Sequence, residues 1–256
     1  MKDRAVLFGP FVGELCWEMF RFAPHAIYLK KKDPGLRIIV LTREERFDLY
    51  GQYADILIPL RIKNDESMKR DCFKLIGYEQ EYYNTIIKYF KIKFKKRVTI
   101  VDHKYPDVRL WRYKIKWQFP RNQMDYDFKP RYDHNKIAEA AIGVHTGLLD
   151  CHSTNNRSDN DDNIIESTDL IEYFHDNLTD KTTILGYLIN SIKLCHYVIG
   201  DVTSDISHLP LLLGIPLIHL GEKHSNDYFN ILNPLNTPII VANSIEEGLN
   251  IYENNF

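Results

Sequence analysis

YVIGDVTSDISHLPLLLGIPLIHLG, residues 197–221, is the stretch from which the fold is read. An apolar run at 197–200 reads as a buried parallel strand, and a polar turn follows at 201–205. Residues 206–213 read as a helix, stopped by Gly214 and Pro216, and a second apolar run at 217–220 ends in Gly221. Strand, crossover and strand at this spacing is the βαβ unit of a doubly wound α/β sheet. Ligands of such sheets sit at the carboxyl ends of the strands, where helix N-termini offer free N–H groups. Thr203, Ser204, Asp205, Ser207 and His208 fall at that edge. A diphosphate held there needs few side chains, because backbone amides and hydroxyls supply the donors. The plainer alternative is that Ser207 and His208 cap a helix, or that His208 is a buried histidine bonded to a carbonyl.

Working outward, the same alternation of short strands and helices runs through the chain. Residues 5–8 read as a buried strand that feeds the turn Gly9-Pro10-Phe11-Val12-Gly13-Glu14. A long helical stretch follows to about residue 32, with Leu15, Met19, Phe22, Ala26 and Leu29 forming one apolar stripe. Pro24 is expected to kink or split it. Strands are expected at 38–41, 56–60, 98–101, 142–145 and 238–241. Helices are expected at 44–50, 78–91, 168–178, 183–193 and 245–252. The domain junction is placed near 125–133, giving two Rossmann-like domains, 1–130 and 131–256, each within the usual domain size.

Composition narrows the class. With 44% apolar and 27% charged residues the chain reads as a soluble globular protein. The first apolar run is too short for a signal-peptide core, and the run at 209–220 is broken by Gly214 and Pro216, so no membrane span is expected. Cys16, Cys72, Cys151 and Cys195 are widely spaced, which points to free thiols in a cytoplasmic setting. Cys151-His152 and Cys195-His196 lack the paired spacing that closes a zinc site. The D-x-D within Asp159-Asn160-Asp161-Asp162 lies in a Ser/Asn/Asp tract and reads as solvated loop. No metal and no bound cofactor are expected.

Charge is unevenly spread. Residues 88–121 hold twelve basic residues against Asp102 and Asp107, whereas the whole chain has a net charge of −2. Such asymmetry concerns partners rather than fold. The segment 109–117 (Arg-Leu-Trp-Arg-Tyr-Lys-Ile-Lys-Trp) alternates basic and aromatic residues, and its Arg109, Trp111, Arg112, Lys114 and Lys116 suit a polyanion with stackable bases or a phosphorylated glycan. A solvated basic face over core aromatics is the alternative.

The segment 178–183 (Leu-Thr-Asp-Lys-Thr-Thr), the strand at 196–200, Ser207-His208-Leu209 and Gly214-Ile215-Pro216 together resemble the C-terminal domain of GT-B glycosyltransferases. The likeness is greatest to the ADP-heptose, lipopolysaccharide heptosyltransferase group. It spans residues 177–221, with weaker support from 5–14. Two positions depart from the family pattern. Its glycine in the L-x-G-K-T-S run is Asp180 here, and its Asp-Thr-Gly falls on Thr203-Ser204-Asp205.

The resemblance implies two Rossmann-like domains facing a central cleft. A nucleotide-sugar donor would be bound by residues 203–208, with His145 and Thr146 also in contact. It implies an acidic base in the first strand-to-helix loop, and Glu14 is the matching acid; otherwise Glu14 simply complements the helix dipole. Glu18, one turn later, reads as structural. The implied activity is metal-independent sugar transfer to an anionic acceptor, expected to be a hydroxylated base in DNA, as in virus-encoded glucosyltransferases, or a bacterial surface polysaccharide. A non-catalytic nucleic-acid binder on the same scaffold is the contrasting reading.

Overall fold

The computed structural model describes residues 5–8, 15, 18–59, 98–101, 121–131, 147–149, 164–166, 184–200, 208–221 and 233–256. The chain divides into two compact units, Met1–Lys129 and Pro130–Phe256.

The first unit is built on β1 (Ala5–Phe8), β2 (Arg37–Thr42), β3 (Ile56–Pro59) and β4 (Val98–Val101), all parallel, in the order β3-β2-β1-β4. β1 is flanked on both sides, which is why its four residues are all apolar and buried. The helical stretch expected after β1, with a kink or split at Pro24, is a π-helical turn (Glu18–Phe22) followed by helix α1 (Ala23–Lys32). Pro24 marks the change. It has no N–H to give the carbonyl four residues back, so the α-helical ladder starts afresh with Pro24 in its first turn, where that loss is tolerated. The Phe20 carbonyl, which Pro24 cannot serve, accepts the Tyr126 hydroxyl at 3.3 Å.

That hydroxyl belongs to a strap, residues 121–129, laid along α1. Asp125 N–H donates to Pro24 O at 3.0 Å, and His25 Nδ1 lies 2.9 Å from Gln123 O. Lys31 pairs with Asp125 (2.8 Å) and Asp127 (2.9 Å), while Tyr53 donates to Asp127 at 2.6 Å. Phe128 is wholly buried and anchors the strap in the core. Asp55 joins helix to sheet. It accepts from Ile38 N–H at 2.7 Å and pairs with Lys30 at 2.9 Å.

The second unit contains β5 (Gly147–Leu149), β6 (Ile164–Glu166), β7 (Val198–Gly200), β8 (Leu217–Leu220) and β9 (Ile239–Ala242), parallel throughout, in the order β6-β5-β7-β8-β9. Helices α2 (Ile184–Leu194), α3 (Leu209–Leu213) and α4 (Ile245–Asn255) accompany it. Ile218, Leu220, Ile240, Ala242 and Ile245 form one core with Tyr197, Leu249 and Tyr252 packed against it. Gly248 lets α4 sit close, since a Cβ there would strike Ile218 Cγ2. Ser244 caps α4 by accepting from Glu247 N–H at 3.2 Å, and Glu247 accepts in turn from Asn243 N–H at 2.8 Å.

Both units are therefore parallel α/β sheets of Rossmann type, the fold class expected from the sequence. Among the described residues, the short helix at 44–50 is a 3₁₀ segment, Glu44–Leu49, and β6 has no counterpart among the expected strands. β5 lies downstream of the strand expected at 142–145, whose residues fall outside the described ones. The helices expected at 78–91 and 168–178 also fall outside. No helix of the described residues is long and apolar enough to cross a membrane.

Candidate functional site

In an open parallel sheet, ligands bind beyond the carboxyl ends of the strands, at the point where strand order reverses. In the second unit the reversal lies between β5 and β7. Leu149 and Gly200 are the last residues of those strands, and residues 201–207 leave from Gly200. The topology thus delivers the start of this connection to the ligand edge. Thr203, Ser204, Asp205 and Ser207 lie outside the described residues; His208 lies within them.

His208 is buried at the N-cap of α3, with helical backbone angles and no capping bond from its side chain. Helix α3, Leu209–Leu213, has five residues and falls within the helix expected at 206–213, of which 206 and 207 lie outside the described residues. Its dipole is correspondingly small, and Pro210 removes one of the free N–H groups of the first turn. An anion bound here would depend chiefly on the side chains and amides of the preceding connection. Gly214, at φ +77°, ends α3; its N–H and that of Ile215 both turn back to the Pro210 carbonyl.

His219 escaped the sequence reading. It is buried on β8, in register with Gly200, and alternates with Ile218 and Leu220, which face α4. Its imidazole therefore projects from the opposite face of the sheet, next to a residue with no side chain. The available signal was a histidine one residue before the end of an otherwise apolar strand.

His145 and Thr146 lie outside the described residues, and the carboxyl end of β5 falls at Leu149, four residues beyond His145. Cys195 donates its thiol to Ser191 O at 3.2 Å, and burial pushes its pKa up to about 12. Among the described residues no group of three or more His, Cys, Asp or Glu side chains is placed to hold a metal ion.

In the first unit the strand order reverses between β1 and β4, and the connection carrying Glu14 leaves from Phe8 at the end of β1. Glu14 lies outside the described residues, as do Arg109, Trp111, Arg112, Lys114 and Lys116. The described part of this edge is a buried polar cluster. Glu18 is 0% exposed and accepts from Arg46 at 3.1 Å and from the Tyr50 hydroxyl at 2.7 Å. Burial raises its pKa, and Arg46, the Thr42 hydroxyl and Tyr50 act in the opposite direction. Tyr50 is pushed well above its ordinary value by burial and by the Glu18 charge. The cluster ties the connection after β1 to the one after β2, which agrees with the structural role expected of Glu18.

No family model and no curated protein matches the chain. Solved structures do. A family 9 glycosyl transferase from Veillonella parvula aligns at 15% identity and a TM-score of 0.48, over 99% of this chain and 91% of that one. The E. coli heptosyltransferase WaaC with ADP aligns at 12% identity and 0.46, over 98% of each chain. E. coli ADP-heptose lipopolysaccharide heptosyltransferase II aligns at 13% and 0.45, over 97% and 94%. At these identities and scores the likenesses are of fold alone.

Proposed function

We propose that the chain is a glycosyltransferase, moving a sugar from a nucleotide-diphosphate sugar to a hydroxyl of an anionic acceptor. The observation that supports this most is topological: the connection bearing Thr203, Ser204, Asp205, Ser207 and His208 starts at Gly200, beside the strand-order reversal of the second sheet. The sequence pattern of residues 177–221 adds the chemistry. Hydroxyls, amides and an imidazole would hold the leaving diphosphate without a metal, with His145 and Thr146 as additional candidates.

In the reaction, Glu14 takes the proton of the acceptor hydroxyl. The acceptor oxygen bonds to the anomeric carbon as the bond from that carbon to the diphosphate oxygen breaks, and the nucleoside diphosphate departs with the electron pair. Arg109, Trp111, Arg112, Lys114 and Lys116 would receive the acceptor. A hydroxylated base in DNA, as for a virus-encoded DNA-modifying enzyme, and a surface polysaccharide both meet its requirements.

The test incubates the chain with mixed sugar nucleotides and each acceptor class, and follows acceptor mass. A gain of one hexose or heptose unit, abolished in Glu14→Gln with donor binding retained, supports the reading. No mass gain on either acceptor class, together with salt-dependent DNA binding and no response to nucleotide, favours the non-catalytic binder.

A further inference from the structure

Two connections leave the carboxyl edge of the first sheet side by side, one after β1 and one after β2, and a buried ion pair joins them. Glu18 opens the π turn that closes the first connection, while Arg46 and Tyr50 belong to the 3₁₀ segment after β2 and its C-cap. All three are buried, and the Glu18 carboxylate gives one oxygen to each partner: Oε1 accepts from Tyr50 at 2.7 Å and Oε2 from Arg46 at 3.1 Å. Stability does not account for this arrangement. A buried ion pair gains little over apolar side chains of similar volume, because desolvation offsets the attraction. A π turn, moreover, holds one residue more than an α turn, a rare geometry that recurs at functional sites. The extra residue rotates what precedes it by about 100° around the axis of α1, so the turn sets the direction in which Glu18 points. The other end of the same connection is held by Phe8, 0% exposed and in register with Val40 and Val101. Residues 9–17 are thus anchored in the core at both ends, and Glu14 falls four residues before Glu18.

We propose that Glu18 is a positioning residue: its bonds to Arg46 and Tyr50 fix the end of the connection that carries Glu14, and so the place of that carboxylate at the sheet edge. Closing a segment between two fixed points removes much of its conformational freedom. Charged hydrogen bonds do this with a defined direction, which apolar packing of the same volume does not supply. Proton transfer needs that definition, since a base must lie within hydrogen-bond reach of the hydroxyl, and a misplacement of about 1 Å can cost about a hundredfold in rate. That Glu14 is the base rests on the glycosyltransferase reading; the anchoring of residues 9–17 does not.

The test compares the full chain with Glu18→Leu/Arg46→Met, in which packing replaces charge, and with Tyr50→Phe, which removes one hydrogen bond and leaves the ion pair. Hydrogen exchange of the backbone amides of residues 9–17 is followed by mass spectrometry, with urea midpoints as the measure of overall stability. In the double variant, at an unchanged midpoint, those amides are expected to exchange about tenfold faster or more, while β1 and α1 exchange as before. Tyr50→Phe should give a smaller rise in the same residues. With a sugar donor, the double variant should lower kcat about tenfold or more at unchanged donor KM, a split that partial loss of the fold does not produce. Unchanged exchange of residues 9–17 in either variant that folds, a rise shared equally by β1 and α1, or wild-type kcat despite faster exchange overturns the proposal. Faster exchange confined to residues 9–17, in a chain that transfers sugar from no donor, would refute the transferase reading and leave the anchoring by Glu18 standing.

Discussion

The Tyr126 hydroxyl donates to the carbonyl of Phe20, four residues before Pro24. One residue type thus explains both a π-to-α change inside a helix and the place where a distant strap attaches. Tyr126→Phe should destabilise the first unit by about 0.5–1.5 kcal/mol, the net worth of one hydrogen bond. In a Pro24→Ala background, where residue 24 regains its N–H, the same change should cost less. A urea-unfolding double-mutant cycle measures the difference, and equal losses in both backgrounds would sever the link.

The Glu18–Arg46 pair is buried, and its two members are unequal to replacement one at a time. Glu18→Ala leaves a guanidinium in the core and should cost about 3–5 kcal/mol, whereas Glu18→Leu with Arg46→Met should be close to neutral. Urea midpoints of the three proteins decide this. A double variant as unstable as the single one would mean that the charges give the edge something apolar packing does not.

Gly248 is a spacing residue. Gly248→Ala gains helix propensity of about 1 kcal/mol, but the new methyl collides with Ile218 in a filled core, where overpacking costs about 1–3 kcal/mol. Net destabilisation is expected, readable as a lower thermal midpoint, and relieved when Ile218→Val is added.

Burial lowers the pKa of His25, against the pull of the Gln123 carbonyl, so the unfolded chain takes up this proton first. Its contribution is complete above the ordinary histidine value and is lost as pH falls below it. His25→Gln should flatten the stability profile from pH 6.5 downward. Asp127 works lower: although burial opposes it, the Tyr53 hydroxyl, Lys31 and Lys129 hold its pKa to about 2, so its contribution fades as pH drops below 3.8 toward that value. Tyr53 is raised by burial and by Asp127, so stability should fall as pH climbs past 10, a slope that Tyr53→Phe removes. Thermal midpoints from pH 3 to 11 on the three proteins check all of this.

Much of the architecture was readable because strands of parallel sheets are written as short, mostly apolar runs. Ala5–Phe8, Val98–Val101 and Leu217–Leu220 matched to the residue for that reason. β6 was not readable, since Ile164–Glu166 is three residues long and follows a polar tract with no alternation. The π turn was hidden because an apolar stripe looks the same through either kind of helix; only Pro24 hinted at it. Burial of Glu18 could not be foreseen, because its partners Arg46 and Tyr50 lie about thirty residues on, beyond any local pattern. Of the proposed donor and acceptor residues, only His208 falls among the described ones, and its burial is a tertiary fact that spacing alone does not carry.

The central claim is that a nucleoside diphosphate docks on the connection between β7 and α3. Isothermal calorimetry with ADP, UDP, GDP and CDP, on the wild type and on Ser204→Ala and His208→Ala, tests it most directly. Saturable binding of one nucleotide is expected, with a matching thermal stabilisation of about 2.7 kcal/mol at a hundredfold excess over Kd, and both effects should be lost in the two variants. Binding of none, or binding that both variants retain in full, would contradict it.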